Sequence, residues 1–145
     1  MTIKIYIPRD SSARSMGADQ VAVAITDEAK KRGKDVEIIR NGSRGLYWLE
    51  TMVEVLTDQG RVAYGPVKAK DVSSLFDADF LNGMSSNASA HALCLGLTEE
   101  IEWLKQQQRL TFARVGITDP VSLDAYIAHN GYKGCLLYTS DAADE

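Results

Sequence analysis

The stretch VEIIRNGSRGLYWLETMVEVLTDQGRVAYG, residues 36–65, decides the fold. Its first part, Val36 to Arg40, reads as a strand, and the second part holds two more, MVEVL and RVAYG. TDQG joins those two, and its Asp58 and Gly60 suit a tight hairpin turn. Between the first strand and the hairpin lies a compact loop, NGSRGLYWLE, residues 41–50. Upstream, IKIYIP alternates as a strand does. From about Asp19, the residues Val21, Ala24, Ile25 and Ala29 fall at helical spacing. Lys30, Lys31, Arg32 and Gly33 then supply the basic last turn and glycine stop of a helix end. A helix between two strands makes a parallel βαβ unit the natural arrangement. Downstream, KDVSSLFDADFLNG predicts a short helix with Val72, Leu75 and Phe76 on one face.

Composition bounds the function. At 145 residues the chain is long enough to bury a sizeable core, and its 45% hydrophobic and 25% charged residues are those of a water-soluble domain. Sixteen basic against twenty acidic residues leave no polybasic patch, so nucleic acid is not an expected partner. Apolar runs fall short of a membrane span, and the start MTIKIYIPRD lacks the layout of a cleaved signal, so a cytoplasmic location is expected. The two cysteines, Cys94 and Cys135, are too few for a disulfide framework or a four-thiolate metal site. Cys94, within ALCLGL, is expected as a small buried hydrophobe.

Four segments are expected: a first domain over 1–82, a linker over 83–95, the start of a second domain over 96–134, and a tail over 135–145. GMSSNASAHA, in the linker, is small, polar and aperiodic. Thr98 followed by Glu99 and Glu100 predicts a helix start, with Ile101 and Leu104 turned inward. Asp119 as N-cap and Pro120 at the first helical position predict another helix, PVSLDAYIAHN, ending at Gly131.

The order β-α-β, hairpin, α over 1–82 is that of an α/β thioredoxin-like domain, and the residues resemble the thioredoxin-like ferredoxins. In that family one cysteine pair follows the first strand and a C-x3-C pair lies in the loop after the second, together holding a [2Fe–2S] cluster. Here Ser43 and Tyr47 stand at the C-x3-C positions and PRDSSARSMGAD contains no cysteine. Hydroxyls are protonated, hard donors at neutral pH, whereas iron–sulfur clusters need soft anionic thiolates. The loop is therefore expected to be a retained turn, with Gly42 and Gly45 kept for backbone geometry, and Ser43 and Tyr47 are degenerate ligand positions.

The second half, GLTEEIEWLKQQQRLTFARVGITDPVSLDAYIAHNGYKG, resembles the entry to the NADH-binding flavoprotein subunits through Gln108, Arg109, Gly116, Asp119, Pro120, Tyr126, Ile127, Gly131 and Tyr132. Combined with a cysteine-free front, it most resembles the beta subunit of the cytoplasmic, molybdenum-dependent, NAD-linked formate dehydrogenases. Related alternatives are the corresponding subunit of respiratory complex I or of NAD-reducing hydrogenases, and a free-standing thioredoxin-like binding module. The resemblance implies a diaphorase parent using FMN, a [4Fe–4S] cluster and NAD, partnered by a molybdopterin-containing alpha subunit and a [2Fe–2S] gamma subunit. The flavin, nucleotide and cluster segments of that family have no counterpart in this chain, so no catalytic, cofactor-binding or metal residue is assigned and the fragment is expected to be inactive. A redox-silent docking role is the expectation that remains.

The other chemical candidates are expected to be structural. Asp119 is accounted for by helix initiation, Tyr126 and Tyr132 by packing, and His91 and His129 have no ligand partners nearby in sequence. Trp48 and Trp103 are expected as anchors at a surface between subunits. CLLYTSDAADE, residues 135–145, resembles a translated transposase-type sequencing adaptor, so native sequence is expected to break off at about Gly134. Such a tail is expected to stay disordered or to dock opportunistically.

Overall fold

The computed structural model describes residues 2–83 and 85–141. A five-stranded mixed sheet runs in the order β2-β1-β3-β4-β5, formed by β1 (Ile3–Tyr6), β2 (Val36–Ile39), β3 (Val53–Thr57), β4 (Gly60–Tyr64) and β5 (Cys94–Leu97). As expected, β1 and β2 pair in parallel and β3 with β4 forms an antiparallel hairpin. Before β2 come α1 (Ser11–Ser15) and α2 (Ala18–Lys31); α3 (Val72–Asp77) and α4 (Ser86–Ala90) lie between β4 and β5. After the sheet come α5 (Glu102–Lys105), α6 (Leu123–Ala128) and α7 (Lys133–Asp141).

Side chains alternate across a strand, so the two sheet faces can be read directly. One face carries Ile3, Ile5, Val36, Ile38, Val53, Val55, Val62 and Tyr64. Against it pack Val21, Ile25 and Ala29 of α2 and Val72, Leu75 and Phe76 of α3, closing the apolar core. The opposite face carries Lys4, Tyr6, Glu54, Arg61 and Ala63 and is polar at its centre. The loop over 42–52 and the segment around residue 116 cover that centre.

Several local readings are corrected. The segment 83–95 is not a linker: it holds α4 and the start of β5, which pairs antiparallel with β4 through Val62↔Leu97 and Ala63↔Gly96. Hydrogen bonding of the β4 edge is the reason, since an open edge leaves its N–H and C=O groups unpaired. α1 occupies part of the stretch read as a loop, with Asp10 as its N-cap. The helix read over KDVSSLFDADFLNG is interrupted at Asp79, whose φ of 57° starts a separate 3-10 turn, Phe80–Asn82. Thr98 is no N-cap. It is fully buried and its hydroxyl points to Glu54, 3.4 Å away, so α5 begins only after Ile101.

Asp119 does not cap a helix either. Its Oδ1 accepts from Val121 N at 3.0 Å in a local turn, and Ser122 caps α6 instead, accepting from Ala125 N at 3.1 Å. α6 buries none of its residues, and Leu123, Tyr126 and Ile127 are exposed. Residues 135–141, expected as irregular tail, continue α7; 142–145 lie outside the described residues. Among the described residues no helix is long and apolar enough to cross a membrane.

β5 and its approach bury part of Leu93, Cys94, Leu95 and Leu97, worth roughly 3–5 kcal/mol at half burial. A chain ending at residue 82 is expected to be less stable than one ending at residue 105 by about that amount in urea denaturation followed by circular dichroism. Equal midpoints would return the boundary to residue 82.

Candidate functional site

β1 runs parallel to β2 and antiparallel to β3, so the chain leaves β1 and β2 and enters β3 at one end of the sheet. The loop after β2 reaches across that end. Arg9 N donates to Asn41 O at 3.0 Å, holding the loop after β1 beside it. Gly45 sits at φ 84°, a left-handed conformation that glycine adopts without strain, so this glycine serves the turn.

Arg44, between Ser43 and Gly45, turns under the sheet. Its guanidinium meets the Glu54 carboxylate in a two-pronged contact, Nε to Oε1 at 3.0 Å and Nη2 to Oε2 at 2.9 Å, with side chains 2% and 1% exposed. Nη1 donates to Glu99 at 2.6 Å. Burial works against the charged Arg44, and Glu54 followed by Glu99 more than offset it, so its pKa is raised. Arg61 Nη1 lies 3.4 Å from Glu54, donates to Gly116 O at 2.6 Å, and its guanidinium stacks 3.4 Å above the Tyr6 ring centroid. Asn41 Nδ2 donates to the same Gly116 carbonyl at 2.7 Å.

Ser43 and Tyr47 line one cavity together with Gln108 and Arg109, but their side chains are engaged differently. Ser43 Oγ donates to Glu50 Oε1 at 2.6 Å and accepts from Gly45 N at 3.0 Å, whereas Tyr47 is 63% exposed in the 3-10 turn Tyr47–Leu49. Neither cysteine is in the loop: Cys94 is half-buried on β5 and packs against the core, and Cys135 is exposed on α7. The donors present at this end of the sheet are oxygens, and they do not fit a [2Fe–2S] cluster.

Other candidates are placed as follows. Trp48 and Trp103, far apart in sequence, meet edge to face with ring centroids 5.9 Å apart while remaining 59% and 63% exposed. Tyr126 and Tyr132 form a similar exposed pair at 5.0 Å. His91 bonds Ser74 Oγ and Leu93 N, and His129 contacts Ala125 O. Asp119 Oδ2 lies 3.9 Å from Arg9. Among the described residues no group of three or more His, Cys, Asp or Glu side chains is placed to hold a metal.

Sequence reasoning missed Arg44, Glu50 and Glu54. A lone glutamate between Val53 and Val55 was the available signal, since a carboxylate on a buried strand must be paired. Glu50 carried no such mark. It is 3% exposed, its Oε2 accepts from Met52 N at 3.2 Å, and burial raises its pKa above the ordinary 4.5. The Ser43 hydroxyl and Met52 N–H oppose that rise, and the charges of Asp10 and Glu54 add to it.

No family model matches this chain, and no curated protein matches it. Among solved structures it is similar to the thioredoxin-like [2Fe-2S] ferredoxin from Aquifex aeolicus, with a TM-score of 0.53 and 17% identity over 70% of this chain and 96% of that one. A cysteine-to-serine variant of that ferredoxin gives a TM-score of 0.52 and 19% identity, over 65% of this chain and 98% of its own. The shared property is the fold: this is a mixed α/β, thioredoxin-like chain of the ferredoxin type.

Two outcomes are expected. Glu50 is protonated more readily folded than unfolded, so its contribution is fully present below 4.5 and is lost as pH rises through its raised pKa. Melting temperatures measured upward from that pH in EDTA buffer should therefore fall along a limb that Glu50→Gln removes. Arg44→Met should cost about 3–5 kcal/mol in chemical denaturation, because it removes the two-pronged partner of the buried Glu54 and leaves it only the longer contacts of Arg61 and Thr98, while Arg44→Met with Glu54→Leu should cost less than Arg44→Met alone.

Proposed function

We propose that this chain is a redox-silent docking module, the front part of the beta subunit of an NAD-dependent formate dehydrogenase, holding partner subunits while electrons pass elsewhere. The observation that carries this reading is the fate of the cluster loop. Its turn is built on Gly45 at φ 84°, the Ser43 hydroxyl is committed to Glu50, and Arg44 binds the loop to the sheet through Glu54. A loop cross-linked by side chains has no need of a cluster to hold its shape, and the similar ferredoxin from Aquifex aeolicus is described as a [2Fe-2S] protein on the same fold.

The docking part of the proposal is supported by the surface beside that loop. Tyr47, Trp48 and Trp103 expose large aromatic area on the loop and on α5, the residue types that anchor protein interfaces. The partners this reading names are the molybdopterin-containing and [2Fe–2S] subunits of the same enzyme, and the FMN, [4Fe–4S] and NAD chemistry belongs to the full-length beta subunit. Cytoplasmic assembly goes with it.

The test has two readouts. In co-expression with those two subunits, Trp48→Ala with Trp103→Ala should lower co-purification by about tenfold or more, since each anchor is worth about 2 kcal/mol. Undiminished recovery would remove the docking surface. Ser43→Cys with Tyr47→Cys should give no iron–sulfur absorbance after anaerobic reconstitution, because two thiolates lack a second pair; a stable chromophore would overturn the redox-silent reading.

A further inference from the structure

Two chain segments wall a cavity of about 700 Å³, and both are tied down. On one side is the loop after β2, with Ser43, Gly45 and Tyr47, held to the sheet through Arg44 and Glu54. On the other is the segment after α5, residues 107–115. It starts beyond the buried Leu104 and ends at Gly116, whose carbonyl accepts from Asn41 Nδ2 at 2.7 Å and from Arg61 Nη1 at 2.6 Å. Gly116 is also pressed onto the loop's own arginine, since a Cβ there would lie 2.6 Å from Arg44 Nε. A cavity walled by two anchored segments is formed before any ligand arrives, and its size is that of a small-molecule site.

The charge of this cavity is one-sided. The chain carries a net charge of −4, yet among the described residues no Asp or Glu side chain lines it, while two arginines do. Arg44 is balanced by Glu54 and Glu99, whereas Arg109 has no carboxylate partner among the described residues. Arg109 Nε donates to Gln107 Oε1 at 2.9 Å, and its Nη2 is buried without a hydrogen-bond partner. Burying a charged donor without an acceptor is costly, so this nitrogen calls for an acceptor from outside the chain. With Nε taken, the Nη1–Nη2 edge remains, a fork matched to the two oxygens of a carboxylate. One uncompensated positive charge balances a monoanion. The exposed wall is mainly apolar, with Leu110, Phe112 and Val115 on the segment after α5 and Tyr47 on the loop.

We infer that this cavity binds a small monocarboxylic acid with a ring-sized apolar body. Arg109 takes the carboxylate, Gln107 steadies the guanidinium through Nε, and Tyr47, Leu110 and Phe112 cover the body. Inorganic phosphate, more highly charged and without apolar surface, matches neither part. The site shares Tyr47 with the proposed docking surface but does not rest on that reading. Acid binding to the chain alone and recovery of partner subunits are separate measurements, so either can fail without the other.

The experiment is a titration of the whole isotope-labelled chain, followed by amide chemical shifts, with phenylacetate, phenylacetamide, acetate or inorganic phosphate. Phenylacetate should bind one to one with a Kd of about 1 mM or tighter and move amides within 43–47 and 107–115. Phenylacetamide lacks the charge, acetate lacks the body, and each should bind about tenfold more weakly or worse, as should phosphate. Arg109→Gln should fold, as shown by circular dichroism, and lose about tenfold or more in phenylacetate affinity, while Lys4→Gln, which removes the same charge from β1, should bind as the parent does. If Arg109→Gln fails to fold, phenylacetate against phenylacetamide on the parent chain still decides. Absence of shifts in both segments up to about 20 mM phenylacetate would overturn the site. So would phenylacetamide or phosphate binding as tightly as phenylacetate, or full affinity in a folded Arg109→Gln.

Discussion

The buried pairing of Arg44 with Glu54 is the constraint on which the polar half of the molecule depends. Each group alone would carry a severe desolvation cost, and the two-pronged contact at 2.9 and 3.0 Å offsets that cost, helped by an acceptor for each of the three Arg44 nitrogens. Arg44 spends its third nitrogen on Glu99, and Glu54 takes Thr98 and Arg61 as well. One arginine from a loop thus fixes three other parts of the chain: the centre of β3, the turn after β5, and, through Arg61 and its bond to Gly116, the segment beyond α5. Such a network gives direction where apolar contact would not. Valines would cover Glu54's face equally well, but they would not specify which loop covers it.

The apolar half has the opposite logic. There β-branched side chains on β1, β3 and β4 meet the small and branched face of α2, and α2 needs alanines at 18, 22 and 29 to come close to the sheet. Its first turn is anchored from outside the core, where Arg40 and then Arg14 hold the Asp19 carboxyl below its usual range. Gly83 shows how tightly the following turn is pressed down: a Cβ there would lie 2.4 Å from Thr57 Cγ2, and its carbonyl accepts from Tyr64. The glycine closes the core from the side opposite α2's first turn without adding bulk.

Strands and helices with strong periodicity were legible in the sequence. β1, α2, β2 and the hairpin lie where IKIYIP, the Val21–Ala29 spacing, DVEIIR and TDQG put them. β5 was not legible, because CLGL is four residues long, contains a glycine at φ 79°, and follows a polar stretch whose helix is a single turn and a half. Asp119 and Ser122 are both good caps, and only the turn closed by Asp119 on Val121 decides between them. In the candidate site the sequence shows which chemistry the loop lacks. It does not show what holds the loop, since pairing Arg44 with Glu54 requires knowing that the loop folds back over β3.

The meeting of Trp48 with Trp103 bears on how the molecule is seen in solution. These are the chain's two tryptophans, both are more than half exposed, and each lies edge-on to the other at 5.9 Å. Indole emission from this protein therefore reports one patch of its outside and says little about the packing of its interior. Two indoles at that separation couple as transition dipoles and add a couplet to the far-ultraviolet dichroism that no peptide group produces. The optical signature of the chain is written by its surface aromatics, and a spectroscopist following fluorescence would be watching an exposed patch rather than a core.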